Sequence, residues 1–137
     1  LWLASGSNDS LPNPDFMPSA GAAGFKHQHA PHRVGDDLWL FDNASNATSS
    51  RALHLEMDTE TGKLNFIEDW PVDEICRAAG GAYPQTDGGL VATCATPGDV
   101  FAFRDGAEKA EWTLNAWCDL SEDSPIRFPK GIPITVQ

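Results

Sequence analysis

Residues 37–70 read DLWLFDNASNATSSRALHLEMDTETGKLNFIEDW and contain three short runs of aliphatic and aromatic residues. The runs are Asp37–Phe41, Ala52–Met57 and Lys63–Trp70. Each is rich in residues that suit a pleated, half-buried surface, and turn-forming residues such as Glu60-Thr61-Gly62 separate them. The stretch therefore predicts β-strands joined by turns.

The same order of strands recurs in residues 79–115. Three further runs follow a glycine-led segment, GGAYPQT, and they are Leu90–Cys94, Val100–Arg104 and Glu111–Leu114. In the first copy the segment His29–Val34 takes the place of GGAYPQT. Trp70 and Trp112 lie 42 residues apart. Four-stranded propeller blades repeat with a period of about 40–50 residues, so the spacing is typical of that architecture.

We therefore expect an all-β fold made of about two four-stranded antiparallel blades, which belong to an incomplete β-propeller. Residues 26–70 and 79–115 would form the two sheets, packed face to face. A β-sandwich with a similar number of strands is the alternative architecture. Two blades cannot close a ring, so the remaining blades are expected in a missing part of the same protein or in another chain.

The expected boundaries are 1–25 for the end of a preceding blade and a loop, 26–75 for blade one, 76–116 for blade two and 117–137 for a C-terminal extension. One helix is predicted, Val72–Ala79, because Pro71 suits a helix start and Gly80-Gly81 a helix end. The opening residues LWLASGSNDS contain no initiator Met and read as part of a strand. We therefore expect a fragment of a longer protein.

Composition excludes some classes of partner. The chain has 137 residues, a formal net charge of −11 and a pI of about 4.5. This charge argues against nucleic acid or an anionic membrane as the main partner. No apolar stretch approaches the roughly 18–20 residues that a membrane-spanning helix needs, so no membrane span is expected.

Sequons and cysteines favour an oxidising, secretory setting. Three glycosylation sequons begin at Asn8, Asn43 and Asn46. The three cysteines, Cys76, Cys94 and Cys118, are odd in number and have no CxxC spacing, which argues against a zinc knuckle. One disulfide is predicted, Cys76–Cys118, because these residues flank the second blade. Three free thiols in a cytosolic protein are the alternative.

Four short motifs in this chain resemble those of the arylsulfotransferase family that works without a nucleotide sulfate donor. They are Leu1-Trp2, Phe25 with Gln28-His29, Phe41-Asp42-Asn43, and Ser50-Arg51 with Asp58. The resemblance covers about residues 1–115. It implies a six-bladed β-propeller and sulfuryl transfer between phenolic compounds through a sulfohistidine, with no cofactor.

The resemblance also implies a set of site residues. His29 would be the nucleophile, because it is the histidine of the Gln-His pair, and an imidazole nitrogen can form a covalent intermediate. Arg51 matches the Ser-Arg position and, with the nearby Arg33, would stabilise the charge on the transferred group. Candidate contacts with phenolic sulfate esters come from residues close to these motifs, namely His27, His32 and Asn43.

Other interpretations of these residues stay open. His27 and His29 share one face of a strand, but no third ligand has a diagnostic spacing, so no metal site is predicted. Arg51 could pair with a surface acid, and Asp42 and Asn43 could close a turn. His54 is expected on a solvent-facing strand position, and Trp39, Trp70 and Trp112 in blade packing.

A second class of function is therefore retained. The family pattern continues Gln-His-Asp-Ala, whereas this chain has Ala30-Pro31 after the Gln-His pair. The alternative is a non-catalytic propeller module with a structural or protein-interaction role in a secreted or surface assembly.

Overall fold

A computed structural model of the chain describes Ala4, Gly6 and residues 14–20, 24–43, 49–95 and 98–115. These residues form two β-sheets, and none of them is helical. The strands are β1 Met17–Pro18, β2 Gln28–Val34, β3 Asp37–Asp42, β4 Arg51–Asp58, β5 Lys63–Pro71, β6 Gly81–Pro84, β7 Leu90–Cys94, β8 Asp99–Phe103 and β9 Trp112–Asn115. The prediction of an all-β fold is confirmed.

The first sheet has five strands in the order β1-β5-β4-β3-β2. Strands β2 to β5 form an antiparallel meander, as the run of short connections predicts. The remaining strand of this sheet, β1, pairs in parallel with β5 and comes from a segment that was expected to be a loop. A strand of two residues has no measurable periodicity, and β5 provides the edge that orders it.

The second sheet consists of β6, β7, β8 and β9 in sequence order, all antiparallel. Its register pairs Ala82 with Ala92, Ala92 with Phe101, and Phe101 with Thr113. This agrees with the predicted strands, and β6 lies in the glycine-led segment GGAYPQT.

The two sheets pack face to face. Phe41, Ala52 and Trp70 of the first sheet share a buried core with residues on the inward face of the second sheet, namely Ala82, Leu90, Ala92, Cys94, Phe101 and Phe103. The opposite face of the first sheet buries a second core against Phe16 and Phe25. Period-two alternation of the strands supplies both faces, so the first sheet is covered on both sides.

The segment from 72 to 80 that joins the sheets, called the connector below, is not a helix. The predicted helix Val72–Ala79 is therefore wrong. Asp73 and Ala79 have positive φ angles of 54° and 53°, which a right-handed helix does not allow. At Gly80, φ is 153° and an added Cβ would lie 2.4 Å from the ring of Phe41. The glycine is therefore needed where the chain enters β6 close to the first sheet.

A disulfide ties the connector to the second sheet. It joins Cys76 to Cys94, whose Cα atoms lie 5.5 Å apart. The predicted pair Cys76–Cys118 is wrong, because the side chain of Cys94 points toward the connector from the inward face of β7. Cys118 lies outside the described residues. No helix in the described part of the chain is long and apolar enough to cross a membrane.

Candidate functional site

Arg51 and Asp42 form a buried ion pair at one end of the first sheet. The two residues face each other on β4 and β3, and Arg51 Nε donates to Asp42 Oδ2 at 3.1 Å. Nη1 donates to Asp69 Oδ2 at 2.8 Å and Nη2 to the Gly24 carbonyl at 2.9 Å. Each guanidinium nitrogen therefore has a protein acceptor, which offsets the cost of burying the charge.

The same pair holds the segment that leads into β2. The Lys26 N–H donates to Asp42 Oδ1 at 3.0 Å, next to the Arg51 bond with the Gly24 carbonyl. The side chain of Asp42 is fully buried. The pair therefore fixes residues 24–26, two positions before Gln28-His29 begins the strand.

Asn43 and Ser50 hold the connector on the other side. Asn43 Nδ2 donates to the carbonyls of Cys76 and Ala79 at 2.6 and 3.1 Å. Ser50 Oγ accepts the Cys76 N–H at 2.8 Å and donates to the Asn43 carbonyl. The Ser50 N–H also donates to the Glu74 carbonyl at 2.7 Å. These bonds explain why the connector adopts an irregular path instead of a helix.

Asp42, Asn43, Ser50 and Arg51 together form what we call the junction. They are the residues of the Phe-Asp-Asn and Ser-Arg motifs that carried the family resemblance. In this structure Arg51 and Asp42 hold the incoming segment 24–26, and Asn43 and Ser50 hold the outgoing connector. The interpretation that Arg51 pairs with a surface acid holds in part, because its partners are Asp42, which is fully buried, and Asp69, whose side chain is 35% exposed.

His29 lies on β2, the edge strand of the first sheet. It faces Phe41 in the register, and a bulge separates it from His32. His27 and Ala30, on either side, have positive φ angles of 54° and 47°. His29 therefore shares the face of Phe41, whereas Arg51 faces Asp42, one residue further along β3. Adjacent positions on a strand point to opposite faces, so His29 and Arg51 are not brought together.

The other predicted site residues are spread along the same edge. Arg33 pairs with Asp36 at 2.8 Å in the exposed turn between β2 and β3. The ring of His32 stacks on Tyr83 of β6, with centroids 6.2 Å apart. His27 is exposed and precedes β2. The edge thus places the imidazole of His32 against β6, while Arg33 is paired at the hairpin tip.

The glycosylation candidates are placed differently. Asn43 is 3% exposed, and its amide nitrogen, which a glycan would need, is the one that donates to the connector. Attachment there would require this end of the sheet to open. Asn8 and Asn46 lie outside the described residues.

Sequence reasoning missed a contact between Asp37 and His54. His54 Nε2 lies 2.7 Å from Asp37 Oδ1, and its ring stacks on Trp39 with centroids 3.9 Å apart. The side chain of His54 is only 17% exposed, so its predicted solvent-facing position is wrong. The hairpin register, which pairs Trp39 with His54, was the available signal.

Two carboxyl groups meet beside the disulfide. Burial raises the pKa of Glu74 above its ordinary value of 4.5, and the negative charge of Asp99 and a hydrogen bond with it raise it further. Glu74 and the two bridged cysteines bring three possible metal-ligand atoms within 4.8 Å of one another. The sulfurs are joined to each other in the disulfide, so they are not thiolate ligands in this state.

Glu74→Gln is expected to stabilise the protein more at pH about 7 than at pH about 4. A raised pKa in the folded state means that ionisation of Glu74 opposes folding, and this penalty grows as the pH rises through 4.5 toward the folded value. The measurement is the urea midpoint of both proteins at each pH.

The exposed Glu108→Gln removes the same charge and is the matched control. The pKa of Asp58 is lowered by hydrogen bonds from Thr61, so its contribution is present at higher pH and lost as the pH falls. Because it is common to all three proteins, it cancels in the comparison. A Glu74→Gln difference that does not change with pH would contradict the account.

Comparison with protein-family models, curated proteins and solved structures found no match to this chain.

Proposed function

We propose that this chain supplies two successive blades of an arylsulfotransferase-like β-propeller, in which His29 is the nucleophile for sulfuryl transfer between phenolic compounds. The motif order at Gln28-His29 and in the junction supports the family. The repeated four-stranded meander supports the architecture. The observation that carries the proposal is the position of His29 on β2, which is an edge strand among the described residues, beside the corresponding first strand β6 of the next sheet.

The proposed reaction has two steps, and the sulfuryl group is bound covalently to His29 between them. A neutral imidazole nitrogen of His29 attacks the sulfur of an aryl sulfate, an N–S bond forms, and the S–O bond to the aryl group breaks to release a phenolate. The oxygen of a second phenol then attacks the sulfur, the N–S bond breaks, and the phenol proton passes to the freed imidazole nitrogen, which is returned to its neutral form when the proton goes on to the released phenolate. His27 and His32 flank the nucleophile and are the proposed substrate contacts.

Arg51 acts indirectly in this proposal. Its bond to the Gly24 carbonyl and the bond from Lys26 to Asp42 fix the start of β2, and so set where His29 lies. Arg51 and Asp42 are thus positioning residues. Asn43 does the same for the connector and for the second sheet.

Incubation with an aryl sulfate is expected to leave one sulfuryl group on His29. Peptide mass spectrometry under conditions that avoid acid would locate it, because the N–S bond of a sulfohistidine is acid-labile. His29→Ala abolishes the adduct and turnover, whereas His27→Ala reduces the rate less, since His27 is not the nucleophile.

The retained alternative is a non-catalytic propeller module in a secreted or surface assembly. It is favoured by one observation, that the arginine of the family motif faces away from His29 and is bound to two carboxylates. A protein that keeps its fold and forms no adduct at His29 would favour this alternative and exclude the enzyme.

We also propose a secreted or secretory-lumen location. The disulfide Cys76–Cys94 is compatible with an oxidising compartment. N-glycans at Asn8 and Asn46, detected as a mass loss on treatment with an amide-cleaving glycosidase, would support this location.

A further inference from the structure

Among the described residues, no sheet packs on one face of the second sheet, and the ring of His32 stacks on Tyr83 at its edge. We call this the outer face, and its main side chains are Tyr83, Val91, Val100, Ala102, Trp112 and Leu114. Tyr83, Trp112 and Leu114 are 46%, 37% and 45% exposed. None of the six carries a charge at neutral pH, although the chain has a net charge of −11. Thr93 lies on the same face, which is therefore uncharged and mostly apolar, and an exposed face of this kind usually marks a contact surface.

The outer face corresponds to a face that is covered in the first sheet. One row across the first sheet is Phe41, Ala52 and Trp70. The row in the equivalent positions of the second sheet is Thr93, Val100 and Leu114. The first row lies under the second sheet, and its members are at most 2% exposed. The second row lies on the outer face.

A second pair of rows gives the same correspondence. Trp39 and His54 in the first sheet match Val91 and Ala102 in the second, and Ala102 faces Trp112. The same alternation therefore presents the same kind of face in each sheet. In each sheet a bulky apolar residue lies on the last strand of this face, where Trp70 and Leu114 correspond. The central strands differ in size, with Phe41 and Trp39 in the first sheet matched by Thr93 and Val91 in the second.

The two sheets pack head to tail, with unlike faces in contact. The first sheet turns one face to Phe16 and Phe25 and the other to the second sheet. The face of the second sheet that packs on the first sheet corresponds to the face of the first sheet that packs on Phe16 and Phe25. The remaining face of the second sheet is the outer face, and it corresponds to the face of the first sheet that the second sheet covers. A heterologous contact of this type continues by adding another unit of the same kind.

We propose that the outer face docks a further four-stranded antiparallel sheet of the same repeat. The covering face of that sheet would resemble Ala82, Leu90 and Ala92, which cover the first sheet here. This inference rests on the blade arrangement of the proposed function and is independent of its sulfuryl chemistry. A second copy of the chain, docked outer face to outer face, is the competing occupant.

The test is the full chain with an in-line duplication of residues 72–115. Asn115 corresponds in register to Pro71, so Val72 of the added copy follows it with the natural spacing. Trp112→Phe in the added copy leaves one Trp112 to follow. Hydroxyl-radical footprinting of the original and duplicated chains measures the reactivity of Trp112, with the buried Trp70 as the internal reference.

We expect the reactivity of Trp112 to fall to that of Trp70 in the duplicated chain. Ala102→Arg in the original copy should restore the reactivity of Trp112, because the charge blocks docking. The same change in the unduplicated chain should leave Trp70 protected. Unchanged Trp112 reactivity, or loss of Trp70 protection on duplication, would overturn the proposal.

Sedimentation of the unduplicated chain tests for the competing occupant, which is a second copy of the chain. A dimer in which Trp112 is already protected, and which Ala102→Arg dissociates, would assign the outer face to a second copy and also overturn the proposal. The His29 adduct is measured independently, so failure of the docking test leaves the sulfuryl proposal standing, and the reverse also holds.

Discussion

Replacement of Arg51 by alanine is expected to lower the free energy of unfolding by about 3–5 kcal/mol, because it leaves a buried carboxylate without its cation. Asp42 is fully buried and, of its bonds to described residues, would keep the one from the Lys26 N–H. The Gly24 carbonyl would lose its donor as well. Urea denaturation at neutral pH measures the change.

Arg104→Ala is the matched control for this prediction. Arg104 also pairs with a carboxylate, Glu111, but its side chain is 78% exposed. Exposed pairs contribute about 1 kcal/mol or less. Similar losses of stability in the two variants would show that the Arg51 pair is not buried in solution.

Trp70→Ala is expected to cost about 3–5 kcal/mol, which is the usual range for a buried tryptophan. Trp70 is 2% exposed and lies in the core between the sheets. Its indole Nε1 has no hydrogen-bond partner among the described residues, so packing of the ring accounts for the effect. Thermal or chemical unfolding gives the magnitude.

Trp112→Ala provides the contrast, because Trp112 occupies the last strand of the second sheet but is 37% exposed. Its loss is expected to cost about 1 kcal/mol or less, as is usual away from a core. A Trp112 variant as unstable as the Trp70 variant would mean that the outer face is already covered in the isolated chain.

The sequence predicted the strands well because their hydrophobic alternation is local. The runs around Leu38–Phe41 and Leu90–Cys94 place alternate residues on opposite faces, and no distant contact is needed to read this. The repeated order of strands likewise predicted a second sheet, although the 42-residue tryptophan spacing does not join equivalent positions, because Trp70 corresponds to Leu114 and Trp112 lies two residues earlier on β9. What these patterns do not contain is the direction in which a connection runs after the strand ends.

The connector shows this limit. Its Pro-to-Gly bounds fit a short helix, but hydrogen bonds from Asn43 and Ser50 and the bridge to Cys94 impose a different path. All three partners are distant in sequence. The disulfide itself was assigned to the wrong pair because the inward direction of Cys94 depends on the register of β7, which the cysteine spacing does not determine.

The candidate site shows a second limit. Motif order placed His29 and Arg51 in one site, but linear order says nothing about strand faces. The register assigns His29 to the face of Phe41 and Arg51 to the face of Asp42. A motif residue such as Arg51 can therefore hold the segment that leads into the strand of His29 without lying beside His29.

The central claim is that the junction residues hold two separate segments, and native-state hydrogen exchange tests it most directly. Asp42→Ala should speed exchange of the Lys26 amide and its neighbours in residues 24–28, because their acceptor is lost. Ser50→Ala should speed exchange of the Cys76 amide within the connector, while residues 24–28 keep their rates. The amides of β7 serve as the reference for global opening. Faster exchange confined to one segment in each variant is the predicted result. Equal acceleration of both segments in both variants, or none in either, would contradict it.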